Sequence, residues 1–308
     1  MSQFEYTAKV ITPTAITDAM LISCTVAEPG PGETAWVSGT TYAVNDIRIL
    51  TSTHKKYKRA IAGAGTVAPN LDGANWVDIG ATARWAQFDK KIGTVTSAAT
   101  SVNTVLDAGS VEGLALLELT GSSATVSMVE APGGATVYSK TISLDDTVIE
   151  SVYDWMYAPF AQRTNWVLSD LPGQYPSARL TVTVAGTASA VGVLSLGRVT
   201  EIGSTEYGAG AGIINWGKVT DDGFGNREWV EGAYSSRITL PVVISTDSFS
   251  QIYRALAKLR STPAIYTGTE ISKYDPLVCY GVFKDLYMTI PNAAVCTYNL
   301  EIEGLNNV

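Results

Sequence analysis

WVSGTTYAVNDIRILTSTHKKYKRAIAGAGTVAPNLDGANWVDIG, residues 36–80, strings Trp36, Tyr42, Asn45-Asp46, Tyr57, Pro69 and Trp76 along short apolar runs and closes on Gly80. A segment this short rarely buries enough surface to fold unaided, so its aromatic side chains must supply much of its core. On the N-terminal side, Glu28-Pro29-Gly30-Pro31-Gly32 can continue neither a strand nor a helix, and Ala81-Thr82-Ala83 leads out on the other side. The block therefore reads as a small aromatic β module, residues 34–82, inserted into a larger β protein.

Working outward, residues 1–33 carry two apolar-rich stretches, Tyr6–Ile11 and Met20–Ala27, which read as N-terminal strands joining the body. Arg84-Trp85-Ala86-Gln87-Phe88-Asp89 alternates as a strand would, with Trp85 and Phe88 on opposite faces. Across 83–199, short strands at Ala115–Leu119, Thr125–Val129, Thr136–Ile142, Arg179–Val184 and Val191–Leu196 with Gly-rich turns indicate a β-sandwich, jelly-roll-like domain. Val152–Phe160 is too aromatic to face water and is expected to cap one end of that sandwich.

Residues 200–308 read as a C-terminal α+β domain. Ile213–Val219 and Glu228–Val230 flank an Asp221–Asn226 turn, and Ser236–Ile244 alternates as a strand. One amphipathic helix is expected at Phe249–Arg260, where Ile252, Leu256 and Leu259 recur at helical spacing. Asp247 or Ser248 would cap it and Ser261-Thr262-Pro263 would end it. Its apolar stripe would pack on a sheet from Leu277–Phe283, Leu286–Ile290 and Ala294–Ile302. The fold class is mainly β, consistent with abundant Gly, Thr, Val and Tyr and only 16% charged residues.

A net charge of −8 repels phosphate backbones, which argues against a nucleic-acid partner. The basic cluster His54-Lys55-Lys56 with Lys58-Arg59 reads as the solvated edge of a hairpin. Cys24, Cys279 and Cys296 are too few and too scattered for a disulfide framework and read as buried thiols of a protein made in a reducing compartment. Met1–Tyr6 lacks a basic region followed by an apolar one, and no apolar run approaches the ~20 residues of a membrane span, so the expectation is cytoplasmic synthesis without membrane insertion.

Apparatus for chemistry is sparse. His54 is the sole imidazole, and one His with three scattered Cys lacks the ligand spacing of a zinc site, so no metal or cofactor is expected. The carboxylate pairs Asp145/Asp146 with Glu150, Asp221/Asp222 and Asp72/Asp78 could in principle serve a glycosidase, but each sits where Asp is favoured as a turn residue. Gly208-Ala209-Gly210-Ala211-Gly212 lacks the Lys-Ser/Thr of a phosphate loop and reads as a tight or bulged crossing.

The aromatic block resembles the chitin-binding-type carbohydrate-binding modules, whose pattern maps onto Trp36, Tyr42, Asn45-Asp46, Ile47, Tyr57, Pro69 and Trp76. That resemblance implies sugar contact through Trp36, Tyr42, Tyr57 and Trp76. Arg59-Ala60-Ile61-Ala62-Gly63-Ala64 stands where those modules carry one or two Trp, which favours a structural or protein-contacting role for the same rings. The rest of the chain is similar to structural proteins of the bacteriophage tail and baseplate, through Arg84–Asp89, Tyr207-Gly208-Ala209, Thr220–Asn226, Leu256–Pro263, Tyr280–Asp285 and Leu300–Leu305.

Together the two resemblances imply a non-enzymatic virion protein of a tail tip or baseplate, assembled in the host cytoplasm as a homo-oligomeric ring with other tail proteins. It would display its module toward a host surface glycan. A free carbohydrate-binding protein and a glycan-degrading enzyme are the rival readings.

Overall fold

The computed structural model describes residues 6–147, 149–221, 225–269 and 271–305, without the side chains of 272, 273 and 275. Met1–Glu5, the centre of the expected turn at Asp222-Gly223-Phe224, and with it one member of the Asp221/Asp222 pair lie outside the described residues.

The molecule is mainly β. In chain order its strands are β1 (Thr7–Pro13), β2 (Leu21–Cys24), β3 (Thr40–Tyr42), β4 (Ile47–Leu50), β5 (Lys55–Arg59), β6 (Gly63–Gly65), β7 (Trp76–Ala81), β8 (Thr96–Ala98), β9 (Ser101–Asp107), β10 (Gly113–Leu117), β11 (Ser123–Val129) and β12 (Thr136–Ser143). After the one-turn helix α1 (Val152–Tyr157) come β13 (Trp166–Leu168), β14 (Arg179–Ala185), β15 (Ser189–Val191), β16 (Val193–Thr205), β17 (Gly210–Asn215), β18 (Lys218–Asp221), β19 (Arg227–Val230) and β20 (Tyr234–Ser245). The helix α2 (Phe249–Lys258) is followed by β21 (Ala264–Thr267), β22 (Val278–Thr289) and β23 (Val295–Gly304).

The sandwich faces the five-stranded sheet β12-β11-β14-β9-β2 against β13, β10 and the first half of β16. Strict alternation builds its core. Val102 and Leu106, Ala124, Val126 and Met128, and Leu180, Val182 and Val184 point inward from one layer, and Leu114, Leu116, Trp166, Leu168, Leu194 and Leu196 from the other.

The second half of β16 then enters a barrel. It pairs with β1, and the ring continues through β21, β22, β23 and β20. A two-residue pairing, Ser204 with Val243 and Thr205 with Val242, closes it on β16. Period-two residues fill the interior: Ala8 and Val10, Ile238, Leu240, Val242 and Ile244, and Cys296, Tyr298, Leu300 and Ile302. Ile252 and Leu256 of α2 and Leu259 at its C-terminal end join the same cluster. β16 therefore runs unbroken through position 199/200, where the composition suggested a domain boundary. Gly197 stands at the hand-over, pairing with both Gly113 and Pro13, and a Cβ there would lie 1.8 Å from the Thr12 carbonyl oxygen.

Three local expectations are corrected. Residues 86–88 form a 3₁₀ turn, not a strand, and its three-residue period brings Trp85 and Phe88 to one side, with ring centroids 5.4 Å apart against the sandwich core. α2 is entered through a 3₁₀ turn at Thr246–Ser248, and the capping side chain is Ser245, which accepts from the Asp247 N–H. Ser248 takes the N-cap position of α2 as expected, but its side chain makes no cap hydrogen bond. The third concerns Val152–Phe160, which lies exposed and does not cap the sandwich.

The barrel carries an alkaline liability. Burial pushes the hydroxyls of Tyr266 and Tyr298 and the Cys279 thiol upward, and Tyr280 up to about 12. Among the described residues the Tyr266 and Tyr280 hydroxyls have no hydrogen-bond partner. Groups raised in the fold favour it below their unfolded values, 9.0 for Cys and 10.0 for Tyr, and that contribution is lost as pH climbs toward the folded ones. Thermal melts between pH 9 and 12 should therefore fall, at roughly 1.4 kcal/mol per group per pH unit. Tyr266→Phe should be neutral or stabilising at pH 8 and should flatten the decline.

Candidate functional site

Within the module, β4-β5-β7 form one small sheet and β3-β6 another. Tyr42, Tyr57 and Trp76 are only 2%, 6% and 2% exposed and form the core, with Trp36 and Leu50 packed against them. Tyr42 meets Trp76 edge to face, centroids 5.1 Å apart at 70°. The Tyr42 hydroxyl donates to the Val37 carbonyl and accepts from its N–H, both at 2.8 Å.

Arg59 lies 5.0 Å over the Trp76 ring and 3.6 Å from Asp72, while Arg48 lies 5.3 Å over Tyr42. Asn45 takes the left-handed turn position at φ 71°, Asp46 accepts from the Ala43 N–H, and buried Pro69 opens a 3₁₀ turn. These residues of the expected pattern thus have structural tasks, whereas Ile47 is exposed. Stacking on a pyranose needs a free ring face, and Tyr42, Tyr57 and Trp76 have none, because so small a module needs these rings for its core.

The basic cluster also departs from expectation. β5 is the central strand of its sheet, not an edge. Lys55 is bound to Asp78, Lys56 reaches Glu33 at 3.1 Å, and Arg59 is buried. The hydrogen bond to Asp78 raises Lys55. Partial burial pushes Asp78 up, but hydrogen bonds from Lys55 and the Gly80 N–H leave it below the usual carboxylate range.

Two carboxylates stitch the module to the body. Glu28 accepts from His54 Nδ1 at 2.9 Å and from the Thr82 hydroxyl at 2.8 Å. Glu33 accepts from the N–H groups of Gly30 and Ala83 at 2.8 and 2.7 Å, tying the strand leading in to the strand leading out. His54, at φ 55°, stacks on Trp85 of the sandwich with centroids 4.1 Å apart. A non-glycine residue in that backbone region is held there only by well-determined surroundings, which Glu28 and Trp85 provide. The hollow beside this joint, about 430 Å³, is bordered by Asp18, His54, Lys55, Asp78, Trp85 and Lys91.

Four of the remaining candidate carboxylates have structural partners. Hydrogen bonds from the Thr147 side chain and N–H hold Asp145 below the usual carboxylate range; Asp146 binds Arg163 at 2.7 Å; Asp72 takes Asn75; and Asp221 takes Arg227 at 3.2 Å. Gly210 and Gly212 open β17, which pairs with β20. All three cysteines are free, and burial keeps Cys279 protonated and poorly nucleophilic. Among the described residues no group of three or more His, Cys, Asp or Glu could hold a metal ion.

The surfaces that do stand out were not legible as such. From β17 through β19 to the start of β20, residues 210–234 form a hairpin arm in which the described residues are exposed apart from half-buried Ile214 and Ala233. Trp229 is 75% exposed, and Ile213 and Trp216 also face water. Around α1, Ile149, Val152, Tyr153, Trp155, Met156, Tyr157 and Phe160 are all exposed, Trp155 to 72%. The sequence shows these aromatics but not their orientation. A helix of one turn and strands of four residues carry too little periodicity to assign a buried face.

The chain matches no protein-family model, and no curated protein is significantly similar to it.

Proposed function

We propose that the chain is a non-enzymatic structural subunit of a bacteriophage tail tip or baseplate, assembled in the host cytoplasm and carried on the virion. The sandwich and barrel form an oligomeric body, other tail proteins are its neighbours, and the module is held outward on a stiff joint toward the host surface. One observation carries this reading: a hairpin arm and an aromatic turn both present large apolar side chains to water. Soluble monomers rarely leave such contiguous apolar patches uncovered, and surfaces of this kind mark association. The joint at Glu28 and Glu33, with His54 stacked on Trp85 of the sandwich, supports the display role, because it fixes the module relative to the body.

Electron microscopy of the purified full-length chain tests the proposal. Closed rings, or recovery of the chain with tail proteins from phage particles, are the expected results. A stable monomer that releases reducing ends from host polysaccharide would overturn it.

A further inference from the structure

The arm and α2 lie at opposite ends of one strand. β20 leaves the arm at Tyr234 and ends at Ser245, about 37 Å away at 3.4 Å per residue, where the turn into α2 begins. α2 spans only about 15 Å, so even running back along the barrel it stays far from the arm of its own chain. Beyond the barrel the arm itself extends roughly 27 Å from Ile213 to Asp221.

The two surfaces are opposite in charge. The described residues of the arm carry Lys218 and Arg227 against Asp221, Glu228 and Glu231; Arg227 is taken by Asp221, and exposed Glu228 and Glu231 have no ion pair among the described residues. On α2 the buried stripe faces the barrel, and the outer face presents Tyr253, Arg254 and Lys258. Neither Arg254 nor Lys258 has a carboxylate among the described residues. In a chain of net charge −8, copies repel one another, so association is favoured where scarce unpaired cations meet carboxylates.

We infer that the arm of one copy lies across the outer face of α2 on a second copy, with Glu228 and Glu231 against Arg254 and Lys258. The contact is head to tail: it uses different surfaces on the two copies and generates a ring when the rotation closes. It rests on the proposed assembly and specifies which surfaces make it.

Charge exchange in the full-length chain tests this by sedimentation across a concentration series. E228K/E231K and R254E/K258E are each expected to weaken association roughly 10- to 100-fold. Combining the four substitutions in one chain should restore it to within a few-fold of wild type. All sites are exposed, and unchanged circular dichroism would show that folding is intact. Two variants that associate like wild type, or a combined chain no better than either, would overturn the contact while leaving assembly standing. A wild-type chain that stays monomeric throughout the series would overturn both.

Discussion

A chain whose arm is cut back should fold normally and fail to assemble. Trp216 donates its N–H to the Ala233 carbonyl at 3.0 Å, so these two residues can flank a two-residue hairpin turn. Replacing Gly217–Gly232 with Asn-Gly, the pair favoured in such turns, removes β18 and β19 but keeps β17 on β20. Among the described residues no buried core residue is lost, and the melting temperature should stay within about 2 °C of wild type. Association should suffer far more. Val219, Trp229 and Val230 are exposed in the single chain, and full burial of each against a neighbour would contribute about 1.5–3 kcal/mol. Losing even 4 kcal/mol weakens association about a thousandfold. Sedimentation of wild type and shortened chain at equal concentration decides the matter. Unchanged assembly would mean that the arm is not an interface and that the exposed α1 turn, or another surface, holds the copies together.

The sequence conveyed period and breaks better than it conveyed closure and exposure. Alternation at Ile238, Leu240, Val242 and Ile244 and at Cys296, Tyr298, Leu300 and Ile302 marked strands with one buried face, and the structure fills the barrel with these residues. The helix expected over 249–260 occupies 249–258, since Ile252, Leu256 and Leu259 leave little choice of face. Barrel closure was not legible, because Ser204 and Thr205 find Val243 and Val242 through long-range pairing that no local pattern encodes. Trp85 and Phe88 fit both a strand and a 3₁₀ turn by spacing, and hydrogen bonds from the Trp85 and Ala86 N–H groups to the Thr82 carbonyl favour the turn. In the module, the same spacing of Trp36, Tyr42, Tyr57 and Trp76 suits a sugar platform or a core. What decides it is which way the rings point. That direction follows from how little else the module has to bury, since among the described residues Leu50 joins that cluster and Ile49 is the other buried aliphatic of β4.

Trp76→Ala should unfold the module and spare the body. Trp76 sits in β7 opposite Arg59, under its guanidinium and edge to face with Tyr42, so truncation removes the largest ring of the cluster and leaves a buried cation without its π partner. Large-to-small changes at such aromatic positions cost about 3–5 kcal/mol. A core of this size rarely supplies more than about 3–5 kcal/mol in total, so the variant module has little or no margin. Strands β3–β7 pair only with one another, and the sandwich and barrel sheets do not depend on them. Limited proteolysis should therefore cut the variant within residues 36–80 while the body persists, and thermal unfolding of the body should shift little. Trp76→Phe, which keeps a ring against Tyr42, should resist cleavage better. The converse pattern would place the ring on the other side of the question: a Trp76→Ala module that stays protease-resistant but loses saturable binding to chitin oligomers would make Trp76 a ligand contact. The 2% exposure of that side chain and the guanidinium over its face argue for the first outcome, because a ring already covered on its face has no surface left to offer a sugar.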